Sequence, residues 1–177
     1  MTVLDEASFD QWVEELAEKE TRWDAVRRLM EAGPSATAAL RKGLSHRHAT
    51  VRWSCCIVLD HHLDMEAMPD LLANVDHKNK RVRAWALHAL ACDRCKEGDC
   101  RPGAGDIVPM VLDKLANDRS ARVRRMAAGL AGEYLREPGV AEALTRAAQS
   151  DPHPKVRMVA GWYAPGGPVY RRKMSPE

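Results

Sequence analysis

Apolar and polar positions along this chain repeat with the period of a helix rather than a strand. Phe9, Trp12, Val13 and Leu16 fall on one stripe, with Ser8 and Gln11 spaced as a capping box, so a first helix is expected from about Ser8. A second is expected over residues 22–32, ending at Gly33-Pro34. Beyond it one pattern recurs: "SHRHATVRWSCCIVLDHH" from Ser45, "DHKNKRVRAWALHALACD" from Asp76, "DRSARVRRMAAGLAGEYL" from Asp118 and "DPHPKVRMVAGWYAPG" from Asp151. Each is a polar turn, a Val-Arg pair and an Ala-rich helix. The pairs begin at Val51, Val82, Val123 and Val156, with spacings of 31, 41 and 33 residues, in the range of helix-pair repeats. Further helices are expected over residues 34–44, 65–75, 107–116 and 140–148. Asp64 is placed to cap the second of these, and Pro69 and Pro109 hold matching places early in theirs, where a missing N–H is tolerated.

The turn, Val-Arg pair and Ala/Leu-rich helix, alternating with a Pro-containing helix, resemble the HEAT-repeat family, in particular the short bacterial HEAT-like proteins. The resemblance covers roughly residues 35–163. It implies an all-α fold, a right-handed α-solenoid of antiparallel helix pairs with the second helix of each pair lining the concave side. On that reading residues 1–33 form an N-terminal helical cap, residues 34–164 the repeats and residues 165–177 a flexible tail. The resemblance speaks for fold more than for function, and implies a non-enzymatic scaffold or adaptor for a protein partner. The alternative is a nucleic-acid-binding protein similar to the HEAT-like alkylpurine DNA glycosylases. A likeness to the HEAT-like bilin lyases rests on fold alone.

Composition narrows this. Among 177 residues, 45% are apolar and 29% charged, and the net charge of +2 demands neither a nucleic acid nor a membrane as partner. The acidic, amphipathic start is unlike a secretory signal and no apolar run is long enough to span a bilayer, so a cytoplasmic location is expected. There, five cysteines are more naturally reduced, metal-bound or redox-active than paired in a disulfide framework.

The Val-Arg pairs place Arg52, Arg83, Arg124 and Arg157 in a column, with Asp76, Asp118 and Asp151 available as partners in neighbouring turns. Pairing within the solenoid explains that column better than a ladder for phosphates. Around it, Lys78, Lys80 and Arg83 in one turn, and Arg119, Arg124 and Arg125 in another, are candidate partner-binding residues, with Trp53 and Trp85 on the repeat helices. The likeness to the glycosylases implies aromatic residues around an acidic one, but no carboxylate follows either Trp by one turn, where Ile57 and Ala89 stand. Asp60 stands alone.

The spacing of 41 holds an excess of eight to ten residues, an insert at about 92–105. Cys92, Cys95 and Cys100 form C-x2-C-x4-C there, and His88 lies one turn before Cys92. Structural zinc takes four N or S ligands, often from such a knuckle, so zinc is the candidate cofactor. The fourth ligand is either His88 or, from the preceding repeat, His61, which stands ten residues after its Val as Cys92 does after its own. Free thiols, a redox disulfide or another metal remain open. Lys96, where a His is needed, speaks against a c-type haem, and an iron–sulfur cluster would need Cys55 or Cys56, which read as buried apolar residues.

Overall fold

The computed structural model describes residues 6–96 and 102–175, and every regular element among them is helical. The α-helices are α1 (Glu6–Glu15), α2 (Arg22–Ala32), α3 (Thr37–Leu44), α4 (Ala49–His61), α5 (Met68–Asn74), α6 (Lys80–Ala91), α7 (Ala104–Asn117), α8 (Ala121–Ala131), α9 (Val140–Ser150), α10 (Pro154–Tyr163) and α11 (Pro168–Met174). Single 3₁₀ turns lead into α3 and α5. The fold is an α-solenoid of helix pairs, and the chain divides into two compact units at Arg101/Pro102.

In the first unit α1, α3 and α5 pack as one layer and α2, α4 and α6 as the other. Val51 and Val82 are fully buried at the first turns of α4 and α6, and Leu16, Leu29, Leu40, Leu44, Leu71 and Leu87 fill the core. In the second unit α7 packs on α9 and α8 on α10, with Val123 and Val156 again fully buried. The turn before each of these four helices is extended at its last residue (His48, Asn79, Ser120, His153), which starts the next helix cleanly. Side chains within the turns receive backbone N–H groups: His46 Nδ1 from His48, His77 Nδ1 from Asn79, Asp118 Oδ1 from Ser120 and Asp151 Oδ1 from His153. His46, His77 and His153 are structural acceptors.

Three local expectations change. Helix α1 begins at Glu6, so Ser8 lies inside it and does not cap it. Pro109 is interior to α7, whereas Pro69 is at the start of α5, because α7 begins at Ala104. Residues 165–177, expected as a flexible tail, carry α11. The chain reverses at Gly166 (φ 84°), α11 starts on Pro168, and Lys173 Nζ donates to the Gly132 carbonyl at 2.9 Å and to Glu133 Oε2 at 2.9 Å.

Candidate metal centre

Helices α4 and α6 lie side by side and end together. In the apolar run of α4, Asp60 follows Trp53 by seven residues and Cys56 by four, which carries its carboxylate to the inward face, where it is only 3% exposed. On α6, His88 and Cys92 are one turn apart. The Cys92 N–H closes the last helical turn on the His88 carbonyl at 2.9 Å, and its backbone then opens to φ −92°, ψ 96°. One 3₁₀ turn, Asp93–Cys95, brings the second sulfur back beside the first. The buried Lys96 fixes this exit by donating to the Cys92 carbonyl at 2.8 Å.

The result is four converging donors. One ligand atom from each of Asp60, His88, Cys92 and Cys95 lies within 4.8 Å of all the others. Cys92 Sγ and Cys95 Sγ are 3.3 Å apart, and His88 Nδ1 is 3.0 Å from Asp60 Oδ2. At that distance a hydrogen bond would be expected, yet His88 Nδ1 and Asp60 Oδ1 are both buried with no hydrogen-bond partner. The nitrogen is close to the carboxylate but not aimed along it. Buried polar atoms are almost always satisfied, so two such atoms within one donor set leave ligand atoms there that could hold an ion. Two ligands of one tetrahedral ion are neighbours in this way: bond lengths of about 2.0–2.3 Å put N···O edges near about 3.3 Å and S···S edges near about 3.8 Å.

The electrostatics fit deprotonated sulfur. Burial works to raise the Cys92 thiol, but interactions with His88 and Cys95 outweigh it and hold it below its ordinary value. Burial also opposes charge on His88, but Asp60 and Cys92 outweigh it and raise the imidazole to about 9. Burial, Cys92 and the Asp60 charge push Cys95 up to about 12. Without a cation the cluster therefore favours a thiolate at Cys92 and opposes one at Cys95. A divalent ion would remove that opposition.

Residues 9–92, the helices that build this cluster, match the family model for HEAT repeats. Over that span the chain carries HEAT repeats. No curated protein matches it.

Along the helix pairs of both units the Arg column has one shared job. Each guanidinium donates to the carbonyl six residues back: Arg52 to His46 at 2.6 Å, Arg83 to His77 at 2.9 Å, Arg124 to Asp118 at 2.9 Å and Arg157 to Asp151 at 2.7 Å. The column thus latches its own turns. Arg124 also grips Asp151 with two bonds, Nε at 2.7 Å and Nη2 at 3.0 Å, and Arg52 reaches Asn74 Oδ1 at 3.1 Å. Arg83 and Arg124 are buried, which removes both from the candidate partner-binding set. Trp53 is buried too, its ring 6.2 Å from the exposed Trp23 and 5.6 Å from each of the Arg22 and Arg81 guanidinium carbons. Trp85 is half-buried, edge-on to His88 at 5.3 Å. Lys78, Lys80, Arg119 and Arg125 are exposed.

Of the sequence-derived ligands, His88, Cys92 and Cys95 stand in the cluster, His61 does not, and Cys100 lies outside the described residues. Asp60 takes the place foreseen for His61. Adjacent helix positions differ by about 100°, so burying Asp60 turns His61 towards the half-exposed side. Among the described residues no helix is long and apolar enough to cross a membrane.

Proposed function

We propose that this protein is a HEAT-repeat scaffold for a protein partner, braced by a structural zinc ion held by Asp60, His88, Cys92 and Cys95. The observation that carries the metal reading is the pair of buried, unpartnered ligand atoms, His88 Nδ1 and Asp60 Oδ1, inside a convergent donor set. Two thiolates with an imidazole favour zinc over magnesium or calcium, which prefer all-oxygen shells. Four protein donors close a tetrahedron, the mark of a structural rather than a catalytic zinc. The ion would tie α4 to the end of α6. The partner reading is supported by the exposed Lys78 and Lys80 in the first unit and Arg119 and Arg125 in the second.

The test is elemental analysis of protein purified without a metal-affinity tag. About one zinc per chain is expected, with a chelator-induced fall in melting temperature that Cys95→Ser abolishes. Less than about 0.2 zinc per chain, with no response to chelator, refutes the centre. For the partner, wild type is compared with a Lys78→Glu/Lys80→Glu variant as bait, and a bound protein lost with the variant is expected. Duplex DNA bound through moderate salt would instead assign these cations to nucleic acid.

A further inference from the structure

The metal reading leaves unexplained why two of the donors sit close together on a short, partly open turn. Cys92 and Cys95 are separated by two residues, and their sulfurs are 3.3 Å apart. A disulfide needs about 2.05 Å, so closure asks for a movement of only about 1.3 Å. Cys95 ends a single 3₁₀ turn rather than lying inside a helix, so few backbone bonds resist that movement. It is also half-exposed, whereas Cys55 and Cys56 are fully buried in α4, so among the described cysteines a solute reaches this pair first.

We propose that Cys92 and Cys95 form a reversible oxidation site, at which a hydroperoxide closes the Cys92–Cys95 disulfide and expels the metal. This rests on the zinc reading above. The Cys95 thiolate attacks the peroxide O–O bond, forming a sulfenic acid and releasing hydroxide from hydrogen peroxide, or alkoxide from an organic peroxide. The Cys92 thiolate then attacks that sulfur, forming the S–S bond and releasing hydroxide. Two thiolates lose two electrons, the O–O bond takes them, and the zinc leaves as the free dication. Only Asp60 and His88 then remain of the four donors, too few to hold the ion. The buried Asp60 carboxylate keeps His88 as its neighbour but loses the cation, so the α4–α6 joint loosens. A dithiol reductant reverses the step. Tying the joint of a binding scaffold to two oxidisable donors makes its rigidity a readout of peroxide.

The experiment uses the full chain loaded with zinc, treated with hydrogen peroxide and followed by a chromogenic zinc indicator and by peptide mass spectrometry. One zinc released per disulfide is expected, with a Cys92–Cys95 cross-link two hydrogens lighter than the dithiol, reversal by dithiothreitol and the same response in Cys100→Ser. Zinc retained at a peroxide concentration that oxidises free cysteine overturns the proposal. So does release with sulfinate instead of a disulfide, or a cross-link through Cys100. A chain that takes up no zinc at the loading step fails earlier and overturns the metal reading with it, which separates the two failures.

Discussion

The Arg124–Asp151 pair gives the most exacting test of how the repeats hold together. Arg124 meets the carboxylate with two bonds, 2.7 and 3.0 Å, and Asp151 Oδ1 also accepts from the His153 N–H at 2.8 Å. Asp151→Asn keeps the shape but sets an NH₂ against the guanidinium and leaves a buried cation without its counter-charge. Breaking a buried pair costs about 3–5 kcal/mol. These side chains retain 11% and 6% exposure, just under the surface, so the low end applies, about 3 kcal/mol. For a cooperative unit of 60–100 residues that is about 12–24 °C in melting temperature. The pH dependence adds a second handle. Burial works to raise the Asp151 carboxyl, but its bonds from Arg124 and His153 outweigh it and hold it below the ordinary 3.8. Because the folded value lies below the unfolded one of about 3.9, the pair's contribution is complete above pH of about 4 and is lost as pH falls through the folded value. Urea unfolding of both proteins between about pH 7 and 2.5 reads this directly. A variant within about 0.5 kcal/mol of wild type at neutral pH, or a gap that does not shrink below pH of about 4, refutes the reasoning.

Close backbone approaches give two more tests. A Cβ at Gly132 would overlap the Tyr163 ring, so Gly132→Ala should lower stability by about 1–3 kcal/mol in thermal melts, with Tyr163→Ala relieving part of the loss in the double variant. At Gly43 a Cβ would overlap Cys55 Sγ and lie 2.9 Å from Val13 Cγ1, so Gly43→Ala should cost about 1–3 kcal/mol, and Cys55→Ala should couple favourably with it. For the centre, Asp60→Asn should weaken zinc about 10–100-fold in competition with a chromophoric chelator, while His61→Ala changes it little; the reverse ranking would restore His61 as the ligand.

The repeat was legible because its signals are local. A buried Val at the first turn, an extended cap before it and the following Arg recur at Val51, Val82, Val123 and Val156, and each needs only a few residues of context. What Arg does there was half legible. A neighbouring Asp was foreseen and holds for Arg124 with Asp151, but the shared bond to the carbonyl six residues back depends on turn geometry that composition does not reveal. Helix α11 was missed because Gly166, Gly167 and Pro168 read as a loose end, although Pro168 followed by Arg171, Arg172 and Lys173 carries the start and stop signals of a short helix.

Asp60 was hidden for a different reason. Counting from the Val of each repeat sets His61 level with Cys92, but the contacting residues are Asp60, nine after Val51, and His88, six after Val82. Equal counts mark equivalent positions; contact between stacked helices joins positions offset by most of a turn, because neighbouring helices cross rather than run flush. The usable signal was chemical. A carboxylate in the apolar run "WSCCIVLD", on the same face as Trp53 and Cys56, must be buried, and a buried carboxylate needs a cation or donors. Here it meets an imidazole that does not aim at it and two sulfurs that cannot neutralise it. His88 favours charge on Asp60 and Cys92, but the Cys95 thiolate is opposed by both, and a shared cation would make all four donors favourable together.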